Sequence, residues 1–271
     1  MNPPNDLQEW KAIDPNRQGE RLYLSVSSMK TYNNCPKAWQ LQYHAKMGRA
    51  LAPTLALDTG NIVHAVLEWV NNYYIEHGKY PTDDEWLPVV TAQVKEHEQF
   101  LSPTDRWKVE LLSMRLVGQY LKGIGQDMEP VTAEMKFLLE GPRDVRIYGF
   151  MDVTEADTVF DYKVTYQAVA NAGLHADQLN IYSVAFYAIT GIWPGVVGIL
   201  NLVKQDNSVR MLALDQTPES VKRTLDNALS VYDNVLARKF DPQVGPICKD
   251  CSFSKGVCEE GSRYVKANVK S

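Results

Sequence analysis

The chain has 271 residues, of which 45% are hydrophobic and 23% charged, with a formal net charge of −5 at pH 7. This composition is typical of a globular protein of one large domain or two small ones, and it excludes a low-complexity chain. No apolar run reaches the roughly 18–20 residues that a bilayer-spanning helix needs. The first twenty residues lack the apolar core of a secretory signal. We therefore expect a cytoplasmic protein without membrane contact, which begins with a flexible segment at residues 1–20.

The stretch from residue 21 to residue 57 has an unusual charge balance. It contains no Asp or Glu, but it carries cations interleaved with aromatic side chains. Cationic side chains can bind the phosphates of a nucleic-acid strand, and aromatic rings can stack on its bases. The same pattern also fits a solvated helix whose aromatic residues face the core, and the stretch alone does not decide between them. Its cations are Arg21, Lys30, Lys37, Lys46 and Arg49.

Apolar periodicity and capping residues predict several helices along the chain. Two short ones are expected around Ser27–Tyr32 and from Pro36. A capping-box pattern of Thr82 with Glu85 marks a further helix start. The longer helices are expected over Gly60–Gly78, over Pro103–Gly123 with Ser102 as its cap, from about His175 to Thr190, and from Thr217 to about Arg238.

Strand-forming residues appear after Val131. The segment VTAEMKFLLE predicts one strand, GFMDVTEADTVFDYKV (149–164) predicts a hairpin, and GVVGILNLVKQDNSVRMLAL predicts a second hairpin that turns near 205–208. The order is helices, three strands, a helix, two strands, a helix and a cysteine-bearing tail. This order predicts an α/β domain with a helical N-terminal half.

The first hairpin carries charged residues where a sheet usually buries apolar ones. Asp161 and Lys163 are two residues apart and share a face. If Ala156 and Asp157 form the turn, Asp152 lies across from Asp161 with Cβ atoms about 4.5–5.5 Å apart, provided that the register holds. Two close carboxylates need a shared proton or a divalent cation, and oxygen ligands suit magnesium or manganese. The alternative is an exposed hairpin with an ordinary ion pair.

The chain has only four cysteines, and the last three form a C-x2-C-x6-C pattern. Four thiolates suit a tetrahedral zinc ion or an iron–sulfur cube, and the spacing does not choose between them. Disulfides are not expected in a cytoplasmic chain, and four unrelated thiols are the remaining alternative. A shared site would bring the two ends of the chain together. The cysteines are Cys35, Cys248, Cys251 and Cys258.

Four further residues are candidates whose patterns alone favour no function. His64 lies among apolar neighbours of a predicted helix, where a histidine is usually a core residue. Glu134 shares a strand face with Thr132 and Lys136 by alternation, as a surface carboxylate would. Gln178 and Tyr182 are four residues apart and share a helix face.

Several segments together resemble the RecB-like branch of the PD-(D/E)XK nuclease superfamily. The resemblance is strongest to its iron–sulfur members, namely the CRISPR-associated RecB-type exonucleases, AddB-type helicase–nucleases and related phage-encoded nucleases. It covers about residues 24–258, and it depends on the order of the motifs and on the split cysteine arrangement. The matching segments are LSVSSMKTYNNCPKAWQLQY, GNIVHAVLE, the Glu of AEMKF, GFMD, FDYK, QLNIY and CKDCSFSKGVC.

The resemblance implies a restriction-endonuclease-like core, with a central mixed sheet flanked by helices. It implies one nuclease domain over residues 21–260 with a helical insertion at about 80–125, followed by a C-terminal tail at 261–271. The cysteines Cys35, Cys248, Cys251 and Cys258 would bind a [4Fe–4S] cluster that joins the two ends of this domain.

The resemblance also implies the catalytic roles. His64, Asp152 and Asp161 would hold Mg²⁺ or Mn²⁺, with the Tyr162 carbonyl as a further ligand. Lys163 would help to activate the attacking water. Gln178 and Tyr182 match the Q-x3-Y motif, which lies near the site and contacts DNA or supports the catalytic residues, and Glu134 would stand outside the ligand shell.

The implied function is metal-dependent hydrolysis of DNA by an exonuclease that acts on single strands or DNA ends, in recombination, repair or phage DNA metabolism. The alternative is a non-catalytic DNA-binding or scaffold module that partners a helicase or recombinase. The intact set of Asp152, Asp161 and Lys163 favours the nuclease. A zinc-containing binding protein without nuclease activity is a third reading.

Overall fold

The computed structural model describes residues 5–16, 22–47, 55–97 and 102–268. Its centre is a six-stranded sheet whose strands lie side by side in sequence order. Neighbouring strands are antiparallel except the fourth and fifth, which are parallel. The strands are β1 (Lys11–Ala12), β2 (Thr132–Glu140), β3 (Arg146–Thr154), β4 (Thr158–Thr165), β5 (Val196–Val203) and β6 (Ser208–Ala213).

Helices occupy most of the N-terminal half and connect the two parts of the sheet. The second helix continues as a π-helical segment over Gln40–His44, and the third ends before Gly78, whose φ of 68° suits glycine. The α-helices of the described residues are α1 (Val26–Asn34), α2 (Pro36–Trp39), α3 (Leu55–His77), α4 (Asp83–Glu96), α5 (Pro103–Lys122), α6 (Ala176–Thr190), α7 (Pro218–Leu236) and α8 (Glu259–Asn268).

The expected helices and strands are present, with small shifts at their ends. Ser102 caps α5 and accepts a hydrogen bond from the Asp105 amide, and Thr82 and Glu85 form the expected capping box. The parallel pair β4 and β5 needs a crossover connection, and α6 supplies it. The predicted α/β fold with a mixed sheet flanked by helices is therefore confirmed.

Helices pack on both faces of the sheet, because alternate residues of a strand point to opposite faces. On β4, Val159 packs in the core beneath α1, α6 and α7. Phe160 and Tyr162 pack in a second core with α3, α4 and α5. The region from 80 to 125 thus completes one side of the molecule, since it contains α4 and α5.

The hairpin of β3 and β4 has the predicted register. Val153 pairs with Phe160, and Thr154 pairs with Val159. The Glu155 amide donates to the Thr158 carbonyl at 3.0 Å, which confirms the turn. The described ladder contains no further pair, so the strands separate at the next position, which Asp152 and Asp161 occupy.

Both ends of the described chain make contacts that the sequence does not predict. A flexible segment is expected at 1–20, but within the described residues 5–16 Leu7 and Trp10 are buried and β1 pairs with β2. Two apolar residues and a two-residue strand are too short to give a periodic pattern. The expected tail at 261–271 lies mostly within α8, where Ser262 Oγ donates to the Cys258 carbonyl at 2.8 Å. Among the described helices, none combines the length and apolar character that crossing a bilayer requires.

Candidate active site

The predicted catalytic side chains converge where β3 and β4 separate. Asp152 comes from β3, and Asp161 and Lys163 come from β4. His64 reaches the same place from α3, and Gln178 reaches it from the first turn of α6. The gap between the strands therefore opens a site between the two helical layers.

Asp161 is buried, with only 2% of its surface exposed, and three side chains contact its carboxylate. Its Oδ1 accepts hydrogen bonds from Gln178 Nε2 at 2.7 Å and from Tyr182 Oη at 3.3 Å. Gln178 Nε2 also lies 2.7 Å from Tyr182 Oη, as expected for residues four apart on one helix. The Lys163 ammonium forms an ion pair with Oδ2 at 2.5 Å. Apart from this ion pair, the buried oxygen has no hydrogen-bond partner among the described groups.

Asp152 takes part in the ladder through its side chain. The Tyr162 amide donates to Asp152 Oδ2 at 2.6 Å, so the carboxylate replaces a backbone carbonyl at the point where the strands part. His64 Nδ1 lies 3.6 Å from the same oxygen. One ligand atom each from His64, Glu134 and Asp152 lie within 4.8 Å of one another. Two carboxylates and an imidazole at this spacing could hold a metal ion.

In the absence of a cation, burial disfavours the charged forms of His64, Glu134 and Asp152. Burial raises the pKa of Asp152 well above its usual range, and the carboxylates of Asp161 and Glu134 raise it further. Burial also raises the pKa of Glu134, to which Glu68 adds. Burial lowers the pKa of His64 and thereby keeps the imidazole neutral, as ligation requires. A divalent cation would offset the repulsion among the carboxylates, so the residues fit such an ion.

Glu134 differs most from its expected place. It lies opposite Asp152 in the register of β2 and β3, between the pairs Ala133–Val153 and Met135–Met151. Its φ is 47°, a left-handed conformation that is unfavourable for a residue with a Cβ atom. The register of the strand is unchanged on either side of it, and Thr132 Oγ1 lies 2.8 Å from Thr154 Oγ1 on the face that Asp152 shares. Strained residues of this kind occur preferentially at functional sites.

A buried hydrogen-bond network connects the elements that carry the site residues. Asn71 Nδ2 donates to Tyr162 Oη at 2.9 Å, and Tyr162 Oη donates to Tyr120 Oη at 3.1 Å. Tyr120 Oη lies 3.4 Å from Asn71 Oδ1, which closes the ring of contacts. The network connects α3, α5 and β4. Sequence reasoning missed it, although Asn71 directly follows the apolar stripe of α3 that ends at Val70.

The four cysteines come together at a separate place. All four are free thiols, and all four line one cavity of about 220 Å³. Cys35 lies between α1 and α2, and the other three lie between α7 and α8. The predicted approach of the two ends of the chain is therefore observed.

Comparisons with known proteins agree with this geometry. A family model described as the PD-(D/E)XK nuclease superfamily matches residues 23–259, whereas no curated protein matches the chain. A crystal structure from Eubacterium rectale named "Putative exonuclease" is similar, with a TM-score of 0.55, 14% identity, and coverage of 84% of this chain and 86% of that one. The crystal structure of SSO0001 has a TM-score of 0.44 and 13% identity over 91% of this chain and 90% of that one.

The first of these structures shares the fold at an identity too low to indicate more, and the second similarity is too weak to add to it. The family match spans most of the chain and includes every residue of the site described above. Nucleases of this superfamily use divalent metal ions, and the chain places two carboxylates and a histidine where one could bind. The chain belongs to the PD-(D/E)XK nuclease superfamily.

Proposed function

We propose that the protein is a DNA exonuclease that depends on Mg²⁺ or Mn²⁺, belongs to the RecB-like iron–sulfur branch and acts on single strands or DNA ends. The observation that carries this proposal is the convergence of Asp152, Asp161 and Lys163 where β3 and β4 separate, in a chain of a nuclease superfamily. The name of the Eubacterium rectale protein agrees with it.

The residues of the site would have different roles in phosphodiester hydrolysis. His64, Asp152, Asp161 and the Tyr162 carbonyl would hold the cation, and the place of Glu134 beside His64 and Asp152 adds it to this set. When bound, the cation supplies Lewis-acid chemistry and lowers the pKa of a coordinated water.

Lys163 and the α6 pair would act around the ligands. The Lys163 ammonium, 2.5 Å from Asp161 Oδ2, is placed to orient the attacking water and to stabilise negative charge on the phosphate. Gln178 and Tyr182 would fix the orientation of the Asp161 carboxylate through their hydrogen bonds to Oδ1. Asp161 Oδ2 contacts the Lys163 ammonium and accepts no other hydrogen bond from a described group, so it would keep a lone pair for the cation.

The cysteine cavity would hold a [4Fe–4S] cluster with a structural role. Its ligands would be Cys35, Cys248, Cys251 and Cys258. A tetrahedral zinc site with Zn–S bonds of about 2.3 Å requires sulfur atoms about 3.8 Å apart. No three of the described thiols have sulfur atoms within 4.8 Å of one another. The wider spacing supports the larger cluster over a single zinc ion.

The proposed nuclease forms one domain over residues 21–260, with α4 and α5 as its helical insertion. Both hydrophobic cores pack against the same sheet, which supports a single unit. A domain of this kind could serve recombination, repair or phage DNA metabolism together with a helicase or recombinase.

The test is cleavage of end-labelled single- and double-stranded DNA by anaerobically purified protein with Mg²⁺, Mn²⁺ or EDTA. We expect stepwise shortening from an end with either metal and none in EDTA. Asp161→Asn keeps the shape of the side chain but removes its charge, and should lower the rate at least about 100-fold. Asp226→Asn on the exposed side of α7 is the matched control. Metal-independent DNA binding without cleavage would support the scaffold alternative instead, and equal activity of the wild type and Asp161→Asn would indicate a contaminant.

A further inference from the structure

An exposed aromatic surface lies beside the catalytic site on β2 and β3. Phe150 is 44% exposed although it lies within a strand, two residues before Asp152. Lys136 pairs with Phe150 in the ladder, two residues along each strand from the place where Glu134 lies opposite Asp152. Two residues of a strand span about 7 Å. A group bound to Phe150 would therefore be a near neighbour of the proposed metal ligands.

The face of the sheet that carries Phe150 is turned away from the core beneath α1, α6 and α7. Ile147 and Met151 of β3 belong to that core, and successive side chains of a strand alternate between the two faces. Tyr148 and Phe150 consequently point to the opposite face. Tyr148 and Lys136 are exposed as well, so the described helices leave this part of the face uncovered.

The charges around Phe150 suit a polyanion. Lys136 and Lys11 are exposed, and Lys11 lies opposite Glu140 in the ladder. Glu140 is neutralised by the buried Arg146, whose Nη2 lies 2.7 Å from Glu140 Oε2. Asp14, in the segment after β1, is one exposed carboxylate. The two lysines therefore leave an excess of positive charge near the aromatic surface.

A single strand of nucleic acid matches both the ring and the charges. Bases stack on aromatic side chains, and cations bind the phosphates between them. The position of the surface also favours the substrate over a partner protein. A protein bound at Phe150 would obstruct the approach to Asp152, whereas a strand has to lie next to Asp152 in order to be cleaved.

We propose that Phe150 stacks on an unpaired base of the substrate strand, in a nucleotide next to the phosphate that is cleaved. The inference rests on the proposed nuclease function and deepens it, because a base within a duplex is covered by its neighbours and has no free face for Phe150. The contact thus selects single strands. It selects no particular sequence, since every base has a π-face.

The test compares DNA with and without bases in EDTA, where cleavage does not interfere. Labelled oligothymidylate and an abasic oligomer of the same length carry the same phosphates, so only the first can stack on a ring. Both are titrated with wild type, Phe150→Ala, Phe150→Trp and the control Trp107→Ala, which removes an aromatic residue that is 63% exposed on α5.

We expect Phe150→Ala to bind oligothymidylate at least about fivefold more weakly than the wild type does, as for the loss of one stacked base. Its affinity for the abasic oligomer should be unchanged. Phe150→Trp restores a ring and should bind oligothymidylate at least as tightly as the wild type, and Trp107→Ala should match the wild type. In Mg²⁺, Phe150→Ala should also lose most of the preference for a single strand over the same strand in a duplex.

Equal affinity of wild type and Phe150→Ala for oligothymidylate would overturn the inference, as would an equal loss with the abasic oligomer or in Trp107→Ala. Unchanged DNA binding together with a wild-type dimer that Phe150→Ala dissociates would assign the surface to a second copy of the chain instead. A base-dependent loss in Phe150→Ala without any cleavage by the wild type in Mg²⁺ or Mn²⁺ would contradict only the nuclease proposal, because binding is measured without metal.

Discussion

Asp152 is the residue at which the stability of the fold and the binding of a metal ion make opposite demands. It is 7% exposed, and burial followed by the Asp161 and Glu134 carboxylates raises its pKa. A carboxyl group with a raised folded-state pKa stabilises the fold only while it is protonated. Its favourable contribution is complete below the unfolded value near 3.8 and is lost as the pH rises through the higher folded value. Without a cation, the protein at neutral pH therefore loses this contribution to its stability.

Asp152→Asn should accordingly stabilise the metal-free protein while abolishing its nuclease activity. The amide removes the buried charge, and its oxygen can still accept from the Tyr162 amide. We expect a gain of about 1 kcal/mol at pH 7, or roughly 2–4 °C in Tm. The gain should shrink as the pH falls towards 4, because the carboxyl group of the unfolded chain then begins to bind a proton as well.

Thermal unfolding in EDTA between pH 4 and pH 8 measures this effect. Asp226→Asn, whose side chain is 58% exposed, serves as the control and should follow the wild type. A variant Tm equal to or below that of the wild type at pH 7 would show that Asp152 is not destabilising in the folded protein.

At the scale of elements, Tyr162 on β4 links the site to two helices. Its amide donates to Asp152, and its hydroxyl lies in the network with Asn71 of α3 and Tyr120 of α5. Its ring also contacts the His64 ring edge-to-face, with centroids 5.9 Å apart. The network therefore fixes the spacing between β4 and the helix that carries His64.

Tyr120→Phe tests whether this network positions the metal ligands. Removal of the hydroxyl leaves buried partners on Asn71 and Tyr162 unsatisfied, which should lower the free energy of unfolding by about 1–3 kcal/mol. The Mg²⁺ concentration for half-maximal cleavage should rise roughly tenfold, as with other residues that support metal ligands. Tyr148→Phe changes a tyrosine that is 38% exposed and should alter neither quantity. A loss of stability with an unchanged metal requirement would assign Tyr120 a purely structural role.

The hairpin shows what the sequence could predict and where prediction stopped. Its turn residues and strand formers predicted the register, so Asp152 and Asp161 could be placed opposite each other before any coordinates. The separation of the strands at that point could not be predicted, because it depends on a side chain of one strand replacing a backbone group. The place of Glu134 opposite Asp152 was hidden for another reason, since the register of β2 against β3 has no signature in the residues around it.

At the scale of the whole molecule, two sets of contacts join the N-terminal helices to the segments around α8. One set does not involve sulfur. Tyr32 Oη donates to the Lys239 carbonyl at 2.6 Å, and the Trp39 ring stacks on Phe240 with centroids 5.7 Å apart. The other set is the cysteine cavity, where Cys35 faces the three cysteines before α8. Loss of the second set should therefore release α8 without unfolding the sheet.

Cys258→Ser tests this separation of roles. Cys258 is buried against Leu41 and Phe253, and its sulfur accepts from the Gly261 amide at 3.4 Å in the first turn of α8. Without this ligand the proposed cluster should not form, so the protein purified without oxygen should lose its iron and its absorbance near 400 nm.

In the same variant, the region from residue 246 onwards should become sensitive to brief proteolysis, while the Mg²⁺-induced rise in Tm persists. That rise would depend on the proposed ligands His64, Asp152 and Asp161, which lie on the sheet and α3 and not on the cysteine segments. Val257→Ala, at an exposed neighbouring position, is the control and should keep both iron and protease resistance. Unchanged stability and full activity of Cys258→Ser would show that the four cysteines do not join the ends of the chain through a cluster. A colourless wild-type protein that contains stoichiometric zinc would assign the cavity to that metal, because a zinc–thiolate site does not absorb in the visible range.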